Sequence, residues 1–90
     1  PNNVRVNAVL PGNILSDSRV QFEQSSSEGA EIGKWVDSTQ PIGRSGTNEE
    51  TGQVCLFLAS DASSYITGTE VIVSGGSELG YGTKYPLKFI

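Results

Sequence analysis

The sequence predicts an α/β fold in which two strands of a parallel sheet are joined by a helical crossover. Residues 4–10 and 69–74 are rich in valine, and each run ends at a turn that contains glycine. Between them, residues 48–60 carry apolar side chains at helical spacing. A strand, a crossover and a strand are half of an α/β unit, and such strands need neighbours on both edges. The predicted sheet is therefore incomplete as it stands.

Length and composition limit the chain to one small globular domain. It has 90 residues, of which 36% are hydrophobic and 18% charged, with a net charge of −4. Because it contains one cysteine and no histidine, it forms neither an intrachain disulfide nor the usual thiol and imidazole zinc sites. We therefore predict no metal site, and we expect stability to come from packing or from a neighbour.

The charge balance argues against two classes of partner. Six basic residues are scattered among ten acidic ones, whereas nucleic acids and anionic membranes require clustered positive charge. No apolar run approaches the roughly 18–20 residues that span a bilayer, and no signal-peptide pattern is present. We expect a soluble, cytoplasmic protein with no nucleic-acid or membrane partner.

The first predicted strand leads into the candidate binding loop. Residues 4–10 alternate apolar positions on one face and place Val9 on the other, which predicts a mostly buried strand that ends at Pro11-Gly12-Asn13. Open α/β sheets bind their ligands at the carboxyl ends of strands. Backbone groups at Asn13 and Ile14 can hydrogen-bond an amide there, and the Ser16 hydroxyl can add a bond or hold a phosphate. The same motif is also that of an ordinary turn.

A flap is predicted between the binding loop and the crossover helix. Residues 17–24 and 28–38 have the spacing of short helices, separated by the polar Ser25-Ser26-Ser27, and the second ends near Gln40-Pro41. Such a segment is either a mobile lid over a ligand or a polar surface loop without function. Trp35 either forms the wall of a pocket or anchors the flap.

The crossover helix has the clearest local signal. Thr47-Asn48-Glu49-Glu50 is a capping box, which predicts a helix over 48–60. Arg44 is placed to form a salt bridge with a carboxylate of this helix, Glu50 being one candidate. We expect Cys55 to be a buried packing residue, and Gly52 to let another backbone approach closely.

The second strand, residues 69–74, is expected to end at Gly75-Gly76, and residues 77–90 to form a tail. The glycine-rich segment 75–82 matches neither dinucleotide-binding nor phosphate-loop spacing, so it is interpreted as a chain exit. Two tyrosine and lysine pairs in the tail are three residues apart rather than the four of a catalytic Tyr-x-x-x-Lys helix. They are Tyr81 with Lys84 and Tyr85 with Lys88.

Four ordered motifs over residues 4–76 resemble the carboxyl-terminal third of the short-chain dehydrogenase/reductase family. They are Val4-Arg5-Val6-Asn7-Ala8-Val9-Leu10-Pro11-Gly12, Pro41-Ile42-Gly43-Arg44-Ser45-Gly46, Phe57-Leu58-Ala59-Ser60-Asp61-Ala62-Ser63-Ser64-Tyr65-Ile66-Thr67-Gly68 and Val73-Ser74-Gly75-Gly76. The resemblance implies a Rossmann-type, doubly wound parallel sheet of which this chain supplies the last two strands. It also implies that 11–46 holds the cofactor loop and the substrate lid.

The resemblance assigns cofactor-binding roles to four residues. Pro11, Gly12 and Ile14 match the loop that meets the nicotinamide end of NAD, with NADP not excluded. Ser16 stands where the family usually has threonine, which contacts the carboxamide or a phosphate. The helix at 48–60 and the strand at 69–74 match a subunit interface, which implies a homodimer or homotetramer.

The family's glycine-rich loop and its catalytic serine, tyrosine and lysine lie upstream of the first residue in the family pattern. No catalytic residue is therefore assigned here, and the chain alone is expected to be inactive. The ending at 75–82 resembles that of the hydroxysteroid dehydrogenase branch, whose members are also linked to sugar oxidation.

The leading hypothesis is that the chain is part of an NAD(P)-dependent oxidoreductase that acts on a steroid- or sugar-like alcohol or ketone. It would supply the nicotinamide-side loop, the lid and an oligomer interface. The alternative is a truncated, non-enzymatic product that acts as an interaction module through its bare strand edges. A third interpretation is an independent small α/β binding domain.

Overall fold

The computed structural model describes residues 2–79 and has the predicted α/β architecture. Three helices lie between two strands along the chain: β1 (Ala8–Pro11), α1 (Asp17–Ser25), α2 (Ser27–Thr39), α3 (Asn48–Ala59) and β2 (Glu70–Val73). Short 3-10 turns follow α3 at Asp61–Ser63 and β2 at Ser77–Leu79. Over residues 2–79, no helix has the length and apolar character needed to cross a membrane.

The two strands pair in parallel, from Ala8 opposite Glu70 to Pro11 opposite Val73. β1 thus begins four residues later than predicted and includes the proline that was expected to end it. Pro11 fits because the donors toward β2 come from alternate residues, with the Ala8 and Gly12 N–H groups bonding to Thr69 O and Val73 O at 2.9 Å.

Before Ala8, side chains replace part of the sheet ladder, beside one backbone bond from the Gly68 N–H to Val6 O at 2.7 Å. The Asn7 amide donates to Ile66 O and accepts from Thr69 N–H, both at 3.1 Å. The Val6 N–H similarly bonds the Thr67 hydroxyl at 3.1 Å. These side chains occupy the positions that a backbone ladder would need, which shortens the strand relative to the predicted 4–10.

The guanidinium of Arg5 connects the first strand to the end of α3. It donates to Leu58 O at 2.9 Å, Ser60 O at 3.2 Å, Ile66 O at 3.0 Å and the Ser63 hydroxyl at 3.0 Å. The last carbonyls of a helix lack partners within the helix and carry partial negative charge, so a cation is favourable there. Arg5 therefore caps α3 and fixes it to the segment that leads into β1.

Within residues 2–79 no apolar side chain is fully buried. Val4 and Val6 are 72% and 70% exposed, and Leu10 is also exposed, so the predicted burial of this strand face is not met by the described residues. On α3, Leu56 and Phe57 are exposed as well. The reason is architectural: one layer of helices against two strands leaves sheet and helix faces without a second layer.

We predict that the isolated 90-residue chain associates instead of behaving as a stable monomer, because its apolar faces have no cover within residues 2–79. Size-exclusion chromatography with light scattering should give a mass above the 9.5 kDa of one chain. Thermal circular dichroism should show no single cooperative transition. A monomer that melts cooperatively would contradict this expectation.

Candidate functional site

The structure brings all four predicted binding residues to one groove at the carboxyl end of β1. The groove has a volume of about 560 Å³ and lies between the loop after β1 and one face of α3. Its lining consists of Pro11, Gly12, Ile14, Ser16, Asn48, Thr51, Gly52 and Cys55. The volume and position are those expected of a ligand site in an open α/β sheet.

Close approach of the two strand ends fixes the loop at Gly12. The Gly12 N–H donates to Val73 O at 2.9 Å, and a Cβ at this position would lie 2.9 Å from Ser74 Cβ. A side chain at residue 12 would force β1 and β2 apart. The packing of the two strands therefore requires glycine at residue 12, and the same packing determines where the groove lies.

The backbone of the binding loop leaves two donors available. Asn13 O accepts from the Gly46 N–H, and the Leu15 N–H donates to Gly46 O. These two bonds satisfy the backbone groups on one side of residues 13–15. The N–H groups of Asn13 and Ile14 make no hydrogen bond with any part of the chain that the structure describes. This is the arrangement predicted for the two residues, and a free N–H at a groove can donate to a ligand carbonyl.

Ser16 is the N-cap of α1 as well as a groove residue. Its hydroxyl oxygen accepts from the Arg19 N–H at 3.4 Å, which leaves the hydroxyl proton for another acceptor. The first turn of α1 carries Asp17. A carboxylate next to the cap opposes a phosphate, so of the two roles considered for Ser16 the local charge favours contact with a neutral carboxamide.

The α3 side of the groove was not predicted. Asn48, Thr51, Gly52 and Cys55 follow the spacing i, i+3, i+4, i+7, which is the signal of one helix face and could have identified them. The Thr51 hydroxyl oxygen is buried and has no hydrogen-bond partner within residues 2–79. Buried hydroxyl groups normally have one. Because this oxygen is buried, it is not open to a ligand in the groove.

One expectation for α3 needs correction. Cys55 is exposed rather than a buried packing residue, because it lies on the open groove face of the helix. A Cβ at Gly52 would meet nothing within 4 Å among residues 2–79, so the close approach of another backbone to this glycine stays a prediction.

Arg19 joins α1 and α2, the two helices of the predicted lid, to each other and to the loop that follows them. Its guanidinium donates to Glu23 at 3.0 Å, Asp37 at 2.9 Å, Gly33 O at 3.2 Å and the Ser45 hydroxyl. Ser45 is 3% exposed and donates to Asp37 at 2.5 Å. Burial alone would raise the pKa of Asp37, but its hydrogen bonds from Ser45 and Arg19 hold that pKa below its usual value. These hydrogen bonds hold the two helices of the predicted flap together and attach them to the loop that follows.

The lid also carries an apolar surface. Phe22 on α1 and Ile32 and Trp35 on α2 are 49%, 47% and 40% exposed. The helices can approach closely because a Cβ at Gly29 would lie 2.3 Å from Phe22 O. Trp35 is therefore a half-exposed aromatic on the lid, and its role as pocket wall or anchor stays a prediction.

The predicted salt bridge of Arg44 with Glu50 is confirmed. Both carboxylate oxygens accept from the guanidinium, at 2.7 and 2.8 Å, and the Thr47 hydroxyl and Glu50 form the predicted capping box. The hydrogen bonds from Arg44, then the Thr47 N–H, lower the pKa of Glu50 to about 2. This pair stabilises the start of α3 beside the groove.

Two further sequence predictions concern metals and the tail. No group of three or more His, Cys, Asp or Glu side chains able to hold a metal ion occurs between residues 2 and 79. Tyr81, Lys84, Tyr85 and Lys88 lie outside the described residues, so the interpretation of the tail at 77–90 stays a prediction beyond Leu79.

A parallel strand–crossover–strand unit with a groove at the carboxyl end of its first strand defines part of a Rossmann-type α/β protein. A family model described as Enoyl-(Acyl carrier protein) reductase matches residues 1–78. The chain belongs to the short-chain dehydrogenase/reductase family, as its motifs imply.

Relatives match over most of this chain and over a minor part of their own length. L-fucose dehydrogenase from Bos taurus is 41% identical over 81 residues, which are 90% of this chain and 30% of that protein. Aldohexose dehydrogenase from Thermoplasma acidophilum has a TM-score of 0.76 at 31% identity, covering 91% and 34% of the two chains. YwfH, an NADPH dependent reductase involved in bacilysin biosynthesis, has a TM-score of 0.71 at 38% identity. The match covers 83% of this chain and 30% of YwfH.

The chain thus spans about a third of the length of the relatives it matches. The comparisons do not show the finer resemblance of residues 75–82 to the type 14 17β-hydroxysteroid dehydrogenase.

The experiments below need a complete subunit, which is obtained by joining this chain to one of its relatives. We define a chimeric subunit in which this chain replaces the 81 matching residues of the bovine L-fucose dehydrogenase.

In the chimeric subunit, Glu50→Gln should lower the free energy of unfolding at neutral pH. Because the folded-state pKa of Glu50 is about 2 and its ordinary value is 4.5, its contribution is complete above pH 4.5 and is lost as pH falls toward 2. The difference between parent and variant should therefore shrink over that interval in urea unfolding curves. Glu49→Gln, in the same helical turn, is the control. An effect of Glu50→Gln that does not change with pH would contradict this prediction.

Proposed function

We propose that this chain forms the nicotinamide-side wall and the substrate lid of an NAD(P)-dependent oxidoreductase that acts on an alcohol or ketone. The observation that carries the proposal is the convergence of Pro11, Gly12, Ile14 and Ser16 on one groove. The unbonded Ile14 N–H at that groove supplies a donor where the family resemblance expects a carboxamide.

The groups that line the groove fit a nicotinamide carboxamide. A carboxamide offers one carbonyl acceptor and one NH₂ donor. The Ile14 N–H can donate to the carbonyl. Pro11 presents an apolar ring to the same space. Asp17 beside the cap makes the nicotinamide end of the cofactor, which carries no negative charge, a better occupant than its phosphates.

A bound nicotinamide supplies the hydride acceptor or donor of the reaction. The residues of this chain contribute binding and orientation. Hydrogen bonds to the carboxamide would fix the rotation of the ring, and α1 and α2, which follow the groove residue Ser16, are proposed as the lid that excludes water. The groups that move a proton are expected in the part of the subunit that precedes these residues, so the chain alone is expected to be inactive.

The substrate class is proposed from the relatives and the lid. Two of the similar proteins are named dehydrogenases of sugars, L-fucose and aldohexose. The half-exposed Trp35 on the lid gives a flat apolar surface of the kind on which a sugar or steroid ring can pack. We therefore propose a sugar-like or steroid-like alcohol. NAD and NADP share the nicotinamide end, so the groove accepts either.

We also propose that α3 and β2 contribute to a homodimer or homotetramer interface. Leu56 and Phe57 on α3 are 62% and 44% exposed, and Ile72 on β2 is 49% exposed. Apolar side chains of this size on the surface of a helix and a neighbouring strand favour burial against a second subunit.

Ile14→Pro in the chimeric subunit tests the proposed cofactor contact. Proline removes the N–H, so the affinity for NADH or NADPH should fall about tenfold, as expected for one lost hydrogen bond. Ile14→Val retains the N–H and should weaken binding far less. Isothermal titration calorimetry measures both, and the melting temperature shows whether each variant is folded.

If Ile14→Pro does not fold, Ser16→Ala and Ser16→Thr replace it. Threonine keeps the hydroxyl and should retain affinity, whereas alanine should lose it. A folded chimeric subunit that binds neither cofactor, or whose affinity is unchanged by the loss of these donors, would contradict the proposed function.

The gene sequence upstream of Pro1 distinguishes the enzyme from the alternative interaction module. An in-frame strand with a glycine-rich turn and a later Tyr-x-x-x-Lys would support the enzyme. A stop codon directly upstream, with an initiator just before Pro1, would favour the non-enzymatic module, which the exposed side chains of Val4 and Val6, just before β1, would suit.

A further inference from the structure

Hydrogen bonds join the two ends of the lid segment at the binding loop after β1. Ile14 precedes α1 and Gly46 lies shortly before α3, and these two residues form an isolated parallel bridge outside the two-stranded sheet. The Gly46 N–H donates to Asn13 O at 2.9 Å, and the Leu15 N–H donates to Gly46 O at 2.8 Å. The backbone on both sides of Ile14 is therefore held by one residue that is remote in sequence.

Gly46 also packs directly on the Ile14 side chain. A Cβ at residue 46 would lie 2.9 Å from Ile14 Cδ1, closer than such atoms approach in proteins. The next nearest atoms, Glu50 Oε1 and Asn13 O, would be 3.9 and 4.0 Å away, which is ordinary contact. The conflict is thus confined to one terminal methyl group of one side chain.

The residues on either side of Gly46 connect it to the lid and to α3. Ser45 is buried and hydrogen-bonded to both Asp37 and Arg19, the centre of the lid network. Thr47 is the N-cap of α3, whose face forms the other wall of the groove. Three consecutive residues therefore join the lid, the cofactor loop and the crossover helix.

We propose that Gly46 is a positioning residue that sets the location of the Ile14 N–H in the cofactor groove and couples it to the position of the lid. This inference rests on the proposed function, because it gives Gly46 a role through the Ile14 contact to the carboxamide. Without a Cβ, Gly46 lets residues 13–15 and 46 bridge while Ile14 keeps its present side-chain conformation; with alanine at residue 46, the Ile14 Cδ1 methyl group would have to shift. A movement of the lid that displaces Ser45 displaces Gly46, and with it the backbone on both sides of Ile14.

The test is a double-mutant cycle in the chimeric subunit with Gly46→Ala and Ile14→Val. Alanine adds the Cβ that meets Ile14 Cδ1, and valine lacks that methyl group. Gly46→Ala should weaken binding of NADH or NADPH about tenfold, the loss of one hydrogen bond, and should raise the cofactor KM more than it lowers kcat. The double variant should bind the cofactor as tightly as Ile14→Val alone.

Dissociation constants from calorimetry are the primary readout, and kinetics at saturating cofactor are the second. Gly52→Ala is the control for the effect on stability of replacing a glycine by alanine, because a Cβ at residue 52 meets nothing within 4 Å. It is compared with Gly46→Ala by melting temperature only. If Gly46→Ala is insoluble, the double variant still decides: recovery of solubility and affinity supports the proposal, and failure to recover overturns it.

The outcomes separate this inference from the proposed function. A normal affinity in Gly46→Ala together with a weakened Ile14→Pro overturns the role of Gly46 and leaves the cofactor site in place. Equal impairment of Gly46→Ala and the double variant also overturns it, because the effect would then not pass through Ile14. If Ile14→Pro binds normally, the proposed cofactor contact fails first.

Discussion

The cap that Arg5 places on α3 is the interaction on which the geometry of the site depends. Its guanidinium reaches two carbonyls at the end of the helix, and the buried Ser63 hydroxyl completes the arrangement. One wall of the groove is α3 and the other is the loop after β1, so the two walls keep their separation only while the helix is fixed to the strand. A hydrogen bond from a charged donor contributes about 1.5–3 kcal/mol, more than a neutral one. In a unit without a fully buried apolar residue among those described, such polar connections define the geometry.

A second constraint acts at the opposite end of β1, where glycines allow backbone segments to meet. Gly12 permits the ends of the two strands to approach, and Gly46 permits the segment before α3 to pack against Ile14 in the binding loop. Arg5 precedes β1 and these glycines pack beyond its other end, so β1 is held in place on both sides. The groove is thus a consequence of how the strand is anchored, and its lining residues need only be small and polar enough to leave it open.

Local signals in the sequence predicted local structure well. The capping box at Thr47, the pairing of Arg44 with Glu50 and all three helices depend on residues within one or two turns of each other, and these were predictable from spacing. The start of β1 was not, because the Asn7 side chain bonds residues far away in sequence. The exposure of Cys55 was missed for a related reason: helical periodicity identifies a face but not whether another element covers it. The four residues of the binding loop came from family motifs, while the α3 wall required knowledge of the tertiary arrangement.

The bridge between residues 14 and 46 has a consequence for the way such proteins diversify. Because the two ends of the lid segment are joined by their own hydrogen bonds, the segment between them begins and ends at fixed points beside the sheet. The entropy of closing a loop rises only slowly with its length, so helices can be lengthened, shortened or replaced there at small cost to stability. The lid is in this sense an exchangeable module, and evolution or a protein engineer can change its length and sequence while the strands beneath it stay unchanged.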